Sequence, residues 1–253
     1  MIDFNPRTVL AERLNQLIDA GIEARQEEHR TYLGCSAIGD PCERAAQLTF
    51  AVGRPGFRER EDAPVEQPFP ARIRRIFERG HDAEDRAARW LASAGLVLAT
   101  TNGLTGEQFE VSFCNGRLLG HADGILLHWL GDGPAPLELP ALWECKCLGH
   151  KYVVEARRKR IRSSHPKYYA QMQLYMRGLK LDRGLITCID ADTMELHHEL
   201  VERDDREADR LIARAERILA ATDAGEWLPR SETSPVSMIC KMCRHKAICW
   251  GGA

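Results

Sequence analysis

Glu144 and Lys146 stand two residues apart in Leu142-Trp143-Glu144-Cys145-Lys146-Cys147. A strand turns successive side chains to opposite faces, so Glu144 and Lys146 share one face and Trp143, Cys145 and Cys147 the other. The second set belongs in a core. The first puts a carboxylate beside an ammonium in a segment otherwise fit for burial, where charges are costly unless paired or bound to metal. A surface strand laced by an ion pair has the same pattern. Asp123, in His121-Ala122-Asp123-Gly124, is a second oddity, because Asp is disfavoured inside strands. Gly124 marks either a bulge or the close approach of another backbone or a ligand. If strand pairing brings Asp123 to Glu144 and Lys146, the clustered carboxylates repel one another until a divalent cation neutralises them. Hard oxygen donors suit Mg²⁺ or Mn²⁺. A lysine beside such a cation orients water and stabilises developing charge, which makes a centre for phosphodiester hydrolysis.

Nine cysteines carry the other chemistry, at positions 35, 42, 114, 145, 147, 188, 240, 243 and 249. In Cys240-Lys241-Met242-Cys243 two thiolates are spaced to bind one metal centre, and Cys249 lies within reach. A Cys₄ set needs a fourth ligand. Cys42, in Gly39-Asp40-Pro41-Cys42-Glu43-Arg44, is preferred, with Cys35 as the alternative. Four thiolates suit a [4Fe–4S] cluster, and they also suit Zn²⁺. Cys114 and Cys188 lie in strand-like runs and read as core thiols, as do Cys145 and Cys147. Residues 1–20 have no signal-peptide apolar stretch, so a cytoplasmic setting is expected, in which metal sites or free thiols outweigh disulfides.

The elements that must position these groups follow from periodicity. Thr8 to about Glu28 spaces Val9, Leu10, Leu14, Leu17, Ile18 and Ile22 as a helix. Tyr32–Pro41 reads as a turn-rich break, Cys42–Ala51 as a short helix and Gly53–Pro70 as a surface loop. Arg72–Ala94 is a long amphipathic helix with Ile73, Ile76, Phe77, Ala83, Ala87, Trp90 and Leu91 on one side. Strands are expected at Leu96–Thr101, Gln108–Cys114 and Leu118–Leu130, the last two joined by an Asn115-Gly116 turn. Leu142–Leu148 is a further strand and Tyr168–Leu179 a helix. Gly184–Ile189 and Met194–Val201 form a hairpin, and Asp204–Ala224 is a charged last helix. This is a mixed α/β plan with a small central sheet.

Between the Glu-x-Lys strand and the following helix lies a basic run. Lys151, Arg157, Arg158, Lys159, Arg160, Arg162 and Lys167 are seven cations against one acid, Glu155. The run reads as a phosphate-contacting segment or as a solvated helix face. Tyr168 and Tyr169 follow it, placed either to stack bases or to pack a helix. Arg72, Arg74, Arg75 and Arg79 form a second stripe that either flanks the same groove or pairs with Glu78 and Asp82. The whole chain nevertheless balances, with 35 Lys and Arg against 37 Asp and Glu over 253 residues. There is thus no global basic field. The composition excludes a disordered, a collagen-like and a membrane-embedded chain.

Asp123 followed after a loop by Glu144-x-Lys146 resembles the PD-(D/E)XK nuclease superfamily, and within it the RecB-like exonuclease branch. In that branch a Gly precedes a metal-ligating acid or His on an upstream helix. Gly80-His81-Asp82-Ala83-Glu84 offers Glu84, with His81 in competition. Gln171-Met172-Gln173-Leu174-Tyr175 fits the branch's Gln-x-x-x-Tyr helix, whose pair shares one face. The cysteine pattern is similar to the subset with one cysteine before the core and three near the C-terminus. The CRISPR-associated spacer-processing nuclease and phage exonucleases belong there. The resemblance implies a restriction-endonuclease-like α/β core with a central mixed sheet flanked by helices, plus helical terminal elements joined by a metal cluster. It divides the chain into an N-terminal region (1–70), a nuclease core (71–202) and a cysteine-rich end (203–253).

It implies further that Glu84, Asp123 and Glu144 hold Mg²⁺ or Mn²⁺, with the Cys145 backbone carbonyl as an extra ligand and His81 as a further candidate. Lys146 activates water, and Gln171 positions Lys146 or the substrate beside Tyr175. Cys42, Cys240, Cys243 and Cys249 hold [4Fe–4S], with Zn²⁺ as the alternative. The expected partner is DNA, as single strands or duplex ends, alongside a helicase, recombinase or integrase, with no membrane. The competing readings are a non-catalytic DNA-binding or assembly protein of the same fold and a zinc-structured protein unrelated to nucleases.

Overall fold

The computed structural model describes residues 6–25, 30–51 and 69–251. The expected loop over Gly53–Pro70 falls outside the described residues up to position 68. In chain order the elements are α1 (Pro6–Glu23), β1 (Leu33–Gly34), α2 (Cys35–Ile38), α3 (Glu43–Ala51), α4 (Ala71–Ser93) and β2 (Leu96–Ala99). Then come β3 (Phe109–Phe113), β4 (Leu118–Ala122), β5 (Gly124–Trp129), β6 (Ala141–Leu148), α5 (His150–Ser164) and α6 (Pro166–Leu179). The chain ends with β7 (Arg183–Asp190), β8 (Leu196–Glu202), α7 (Asp205–Asp223), α8 (Met238–Lys241) and α9 (Lys246–Trp250). Among the described residues no helix is long and apolar enough to cross a membrane.

Two mixed sheets replace the single small sheet expected. One runs β1-β4-β3 and the other β2-β5-β6-β7-β8. Strand β1 is parallel to β4, and β6 to β7; the other neighbours are antiparallel. Helices α5 and α6 form the crossover that a parallel β6–β7 pair requires. The run Leu118–Leu130, expected as one strand, is two strands in different sheets. Its first half pairs with β3, Ala122 opposite Phe109. Its second half pairs with β6, Gly124 opposite Trp143. Only Asp123 lies between them.

The alternation expected of β6 holds. Leu142 faces a core with Met172, Leu174, Ile186 and Leu211. Trp143 and Cys145 face α4 through Ala83, Ala87 and Leu91. The Trp143 indole, which needs a partner when buried, donates to Thr187 Oγ1 at 3.0 Å. Expectation and structure differ at α4, where Phe77 and Trp90 are exposed and the smaller Ala83 and Ala87 make the contact. In α1 the helix is present, but Val9, Leu10, Leu14, Leu17 and Ile18 are all exposed and only Ile22 is buried. The stretch Tyr32–Pro41 contains β1 and α2 rather than a plain turn.

Candidate active site

Asp123 is placed by the change of sheet. Its carboxylate turns back along β6 and accepts a hydrogen bond from the Cys145 amide at 2.8 Å. Gly124 follows because β2 passes close: a Cβ there would stand 2.8 Å from the Ala99 carbonyl oxygen. Of the readings open for that glycine, the approach of another backbone is the one found. Glu144 sits on β6 with 1% exposure, which excludes the surface ion-pair strand. Its Oε2 accepts from Lys146 Nζ at 3.0 Å and from Gln171 Nε2 at 3.3 Å.

Lys146 Nζ is the meeting point. It lies 3.0 Å from Glu144 Oε2, 3.0 Å from the Cys145 carbonyl oxygen and 3.7 Å from Asp123 Oδ2. Burial works against its charge, but Glu144 and Asp123 outweigh that and hold it protonated, well above the usual lysine range. The acids are under the opposite stress. Burial first, then the charge of Asp123, pushes Glu144 up. The same two causes push Glu84 up to about 7, against the pull of Lys146. Glu84 comes from the α4 face toward β6, as its place in the helix register predicts. Lys146 thus pairs with Asp123 and Glu144, while Glu84, Asp85 and Arg30 line the adjoining cleft.

An open cleft of about 520 Å³ adjoins this group, with Glu84, Asp123, Gln171 and Tyr175 in its lining. His81 is exposed, three residues before Glu84, and lines the same cleft. Gln171 lies beside Tyr175, as expected, and lines the cleft. Its amide reaches Glu144 and also donates to the Tyr175 hydroxyl at 3.0 Å, so it orients the carboxylate rather than Lys146. Tyr175 is buried, and its ring lies so close to β4 that a Cβ on Gly120 would stand 2.4 Å from Cε1. Lining residues that escaped the sequence reading include Arg30, Asp85, Tyr32 and His121, the last two with rings edge to face at 6.5 Å. His121 was findable, since it alternates with Asp123 onto one face.

The basic run spans α5 and the first turn of α6, and most of its cations have carboxylate partners. Arg157 meets Glu195 at 2.9 Å, Lys159 meets Glu155 at 2.7 Å and Lys167 meets Asp40 at 2.6 Å. Arg162 lies 3.6 Å from Asp204. Arg160 has left-handed backbone (φ 63°) and breaks the helix, with Glu199 accepting from Arg160 Nε and from the Ile161 amide. Arg158 is exposed. Tyr168 is already engaged: Lys146 Nζ lies 5.7 Å from its ring centroid and His165 stacks on it at 5.4 Å. In the second stripe Arg74 is buried and donates to the Ile22, Arg25 and Phe69 carbonyls, and Arg75 pairs with Asp19. Those two arginines hold α1 to α4 and do not flank a groove.

Cys42, Cys240, Cys243 and Cys249 line one small cavity with Arg230 and Lys246. Cys35 lines the cleft instead, beside Glu84 and Tyr175. The tail is docked by α3. Buried Gln47 donates to the Glu226 carbonyl at 2.6 Å and accepts from the Leu228 amide at 2.8 Å, and Thr49 meets His245 at 2.8 Å. Among the described residues no three His, Cys, Asp or Glu side chains are gathered tightly around a single metal position. At β6 the oxygens are turned instead toward the lysine ammonium. The donor chemistry nevertheless fits both kinds of group: hard oxygens around a cationic centre in the cleft, and soft thiolates around one cavity in the tail.

No family model and no curated protein matches the chain. Solved structures with a similar course of chain include an alkaline exonuclease (LHK-Exo) from Laribacter hongkongensis, at 16% identity and TM-score 0.48 over 83% of this chain and 93% of that one. SSO0001 is similar at 13% identity and TM-score 0.48 over 97% and 98%. A phage-related exonuclease from Haemophilus somnus 129PT is similar at 14% identity and TM-score 0.46 over 78% and 95%. At these similarities a functional reading rests on the site itself.

Proposed function

We propose that the chain hydrolyses DNA phosphodiester bonds with the help of a divalent cation, acting as an exonuclease on single strands or duplex ends. The observation that carries this reading is the convergence of Asp123 Oδ2, Glu144 Oε2 and the Cys145 carbonyl on the Lys146 ammonium. These oxygens already surround a positive charge, and Glu84 lines the adjoining cleft with its pKa raised by burial and by the charge of Asp123.

Asp123, Glu144, Glu84 and the Cys145 carbonyl would hold Mg²⁺ or Mn²⁺, with His81 at the cleft mouth as a further donor. Such an ion supplies polarisation of the phosphoryl oxygen and an acidified water. The chain's own residues do the rest. Lys146, released from its carboxylate partners, orients the attacking water and stabilises charge on the phosphate. Gln171 fixes the Glu144 carboxylate through its bond to Oε2, and the Tyr175 hydroxyl fixes Gln171. In the tail, Cys42, Cys240, Cys243 and Cys249 would hold [4Fe–4S] or Zn²⁺ as a structural clip between α3 and the chain end.

The test is digestion of 5′- and 3′-labelled single and double strands with Mg²⁺, Mn²⁺ or EDTA. Loss of label with either ion and none in EDTA is expected, with a Lys146→Ala protein reduced at least about a hundredfold. Equal digestion by wild type and Lys146→Ala would overturn the assignment.

A further inference from the structure

From Lys146 a chain of ring contacts runs outward, away from the core. Lys146 Nζ faces the Tyr168 ring, and the Tyr168 and His165 rings stack with 5° between their planes. His165 meets Tyr152 edge to face at 6.1 Å. Burial falls along this line: Tyr168 and His165 are half-buried, and Tyr152 is 44% exposed. The outermost ring is not covered by apolar side chains; the Lys151 ammonium lies 4.8 Å from its centroid.

The helix around Tyr152 supplies a second, independent feature. Residues three, four and seven apart share a helix face. Lys159, two turns on, shares the Tyr152 face and pairs there with Glu155 at 2.7 Å, while Lys151 and the exposed Arg158 flank that face. Val153 and Ala156, toward the core, are both fully buried. An exposed aromatic ring set among cations, continuous with a row of rings that ends on an ammonium, is what an unpaired nucleotide needs. The base takes the ring and the phosphate takes the cations.

We propose that Tyr152, backed by His165 and Tyr168, is a base-stacking platform that receives unpaired nucleotides of a single DNA strand and leads the strand toward Lys146. The direction of the track rests on the proposed role of Lys146; the platform itself does not. Double-stranded DNA, whose bases are already stacked, gains nothing from the ring and meets only the cations.

The test is fluorescence anisotropy of a labelled oligothymidylate and of a blunt duplex of equal length, both in EDTA so that no cleavage intervenes. Tyr152→Ala is expected to weaken single-strand binding about five- to a hundredfold. Tyr152→Phe and Tyr152→Trp should retain it, and duplex binding should stay within about twofold. Because Tyr152 is on the surface, the Ala, Phe and Trp proteins should show the same far-ultraviolet circular dichroism as wild type. Unchanged single-strand binding by Tyr152→Ala, or an equal loss for duplex and single strand, would overturn the platform. Single-strand binding that depends on Tyr152 in a protein that never cleaves would overturn the nuclease reading alone.

Discussion

Asp123 Oδ2 accepts a hydrogen bond from the Cys145 amide at 2.8 Å, tying the residue between two sheets to the middle of the strand that carries Glu144 and Lys146. Replacing the carboxylate by an amide removes its charge but leaves an oxygen to accept that bond. Asp123→Asn should therefore keep the fold, with thermal stability near that of wild type, because relief of repulsion on Glu144 offsets the weaker hydrogen bond. Cleavage should fall by about a hundredfold or more. Parallel melting curves and digestion rates check both halves.

Gly120 tests how closely β4 must seat on α6. Alanine is the better residue for an ordinary position, since glycine gives up more chain entropy on folding. Here an added methyl would press on the Tyr175 ring and on Cys35 Cβ, 2.9 Å away. Gly120→Ala should cost about 1–3 kcal/mol by overpacking. It should also disturb the Tyr175–Gln171–Glu144 series, so activity should drop further than the loss of folded protein explains. Urea unfolding with activity per folded molecule separates the two.

The cysteines give a contrast between two positions. Cys42 shares its cavity with the three tail cysteines, and Cys35 does not. Cys42→Ala should abolish bound iron or zinc and loosen the tail, whereas Cys35→Ala should leave metal content unchanged. Metal analysis of anaerobically purified protein, with limited proteolysis of the tail, gives the readout. Metal lost in Cys35→Ala and kept in Cys42→Ala would reverse the ligand assignment.

Asp190 contributes to acid stability. Burial alone would raise its pKa, but the Asp192 amide, the His150 side chain and Thr193 outweigh burial and hold it down at about 2. The unfolded chain then binds a proton near pH 3.8 that the folded chain refuses until about pH 2. Stability from this group is complete above that window and is lost as pH falls through it. Asp190→Asn should lower stability at neutral pH and flatten the fall between about pH 4 and pH 2, followed by urea midpoints.

Much of the site was legible because it rests on residue type and local spacing. A carboxylate and a lysine two apart in an apolar run, and a glutamine and a tyrosine four apart, keep their meaning wherever the strand and helix lie. The change of sheet at Asp123 was hidden, since apolar alternation continues through it and does not show which neighbour a strand pairs with. The partners of the basic run were hidden for a related reason. Glu195, Glu199 and Asp204 lie tens of residues downstream, and only the placement of β8 brings them to α5. The exposed apolar side of α1 shows the converse limit, because periodicity reveals a face but not what lies against it.

The position of Asp123 also bears on when the candidate site comes together during folding. Its first acid is held at the boundary of one sheet, its second inside the other. A chain with only one sheet paired, or with either out of register, keeps them apart. The candidate centre is thereby completed only when both sheets are paired in register.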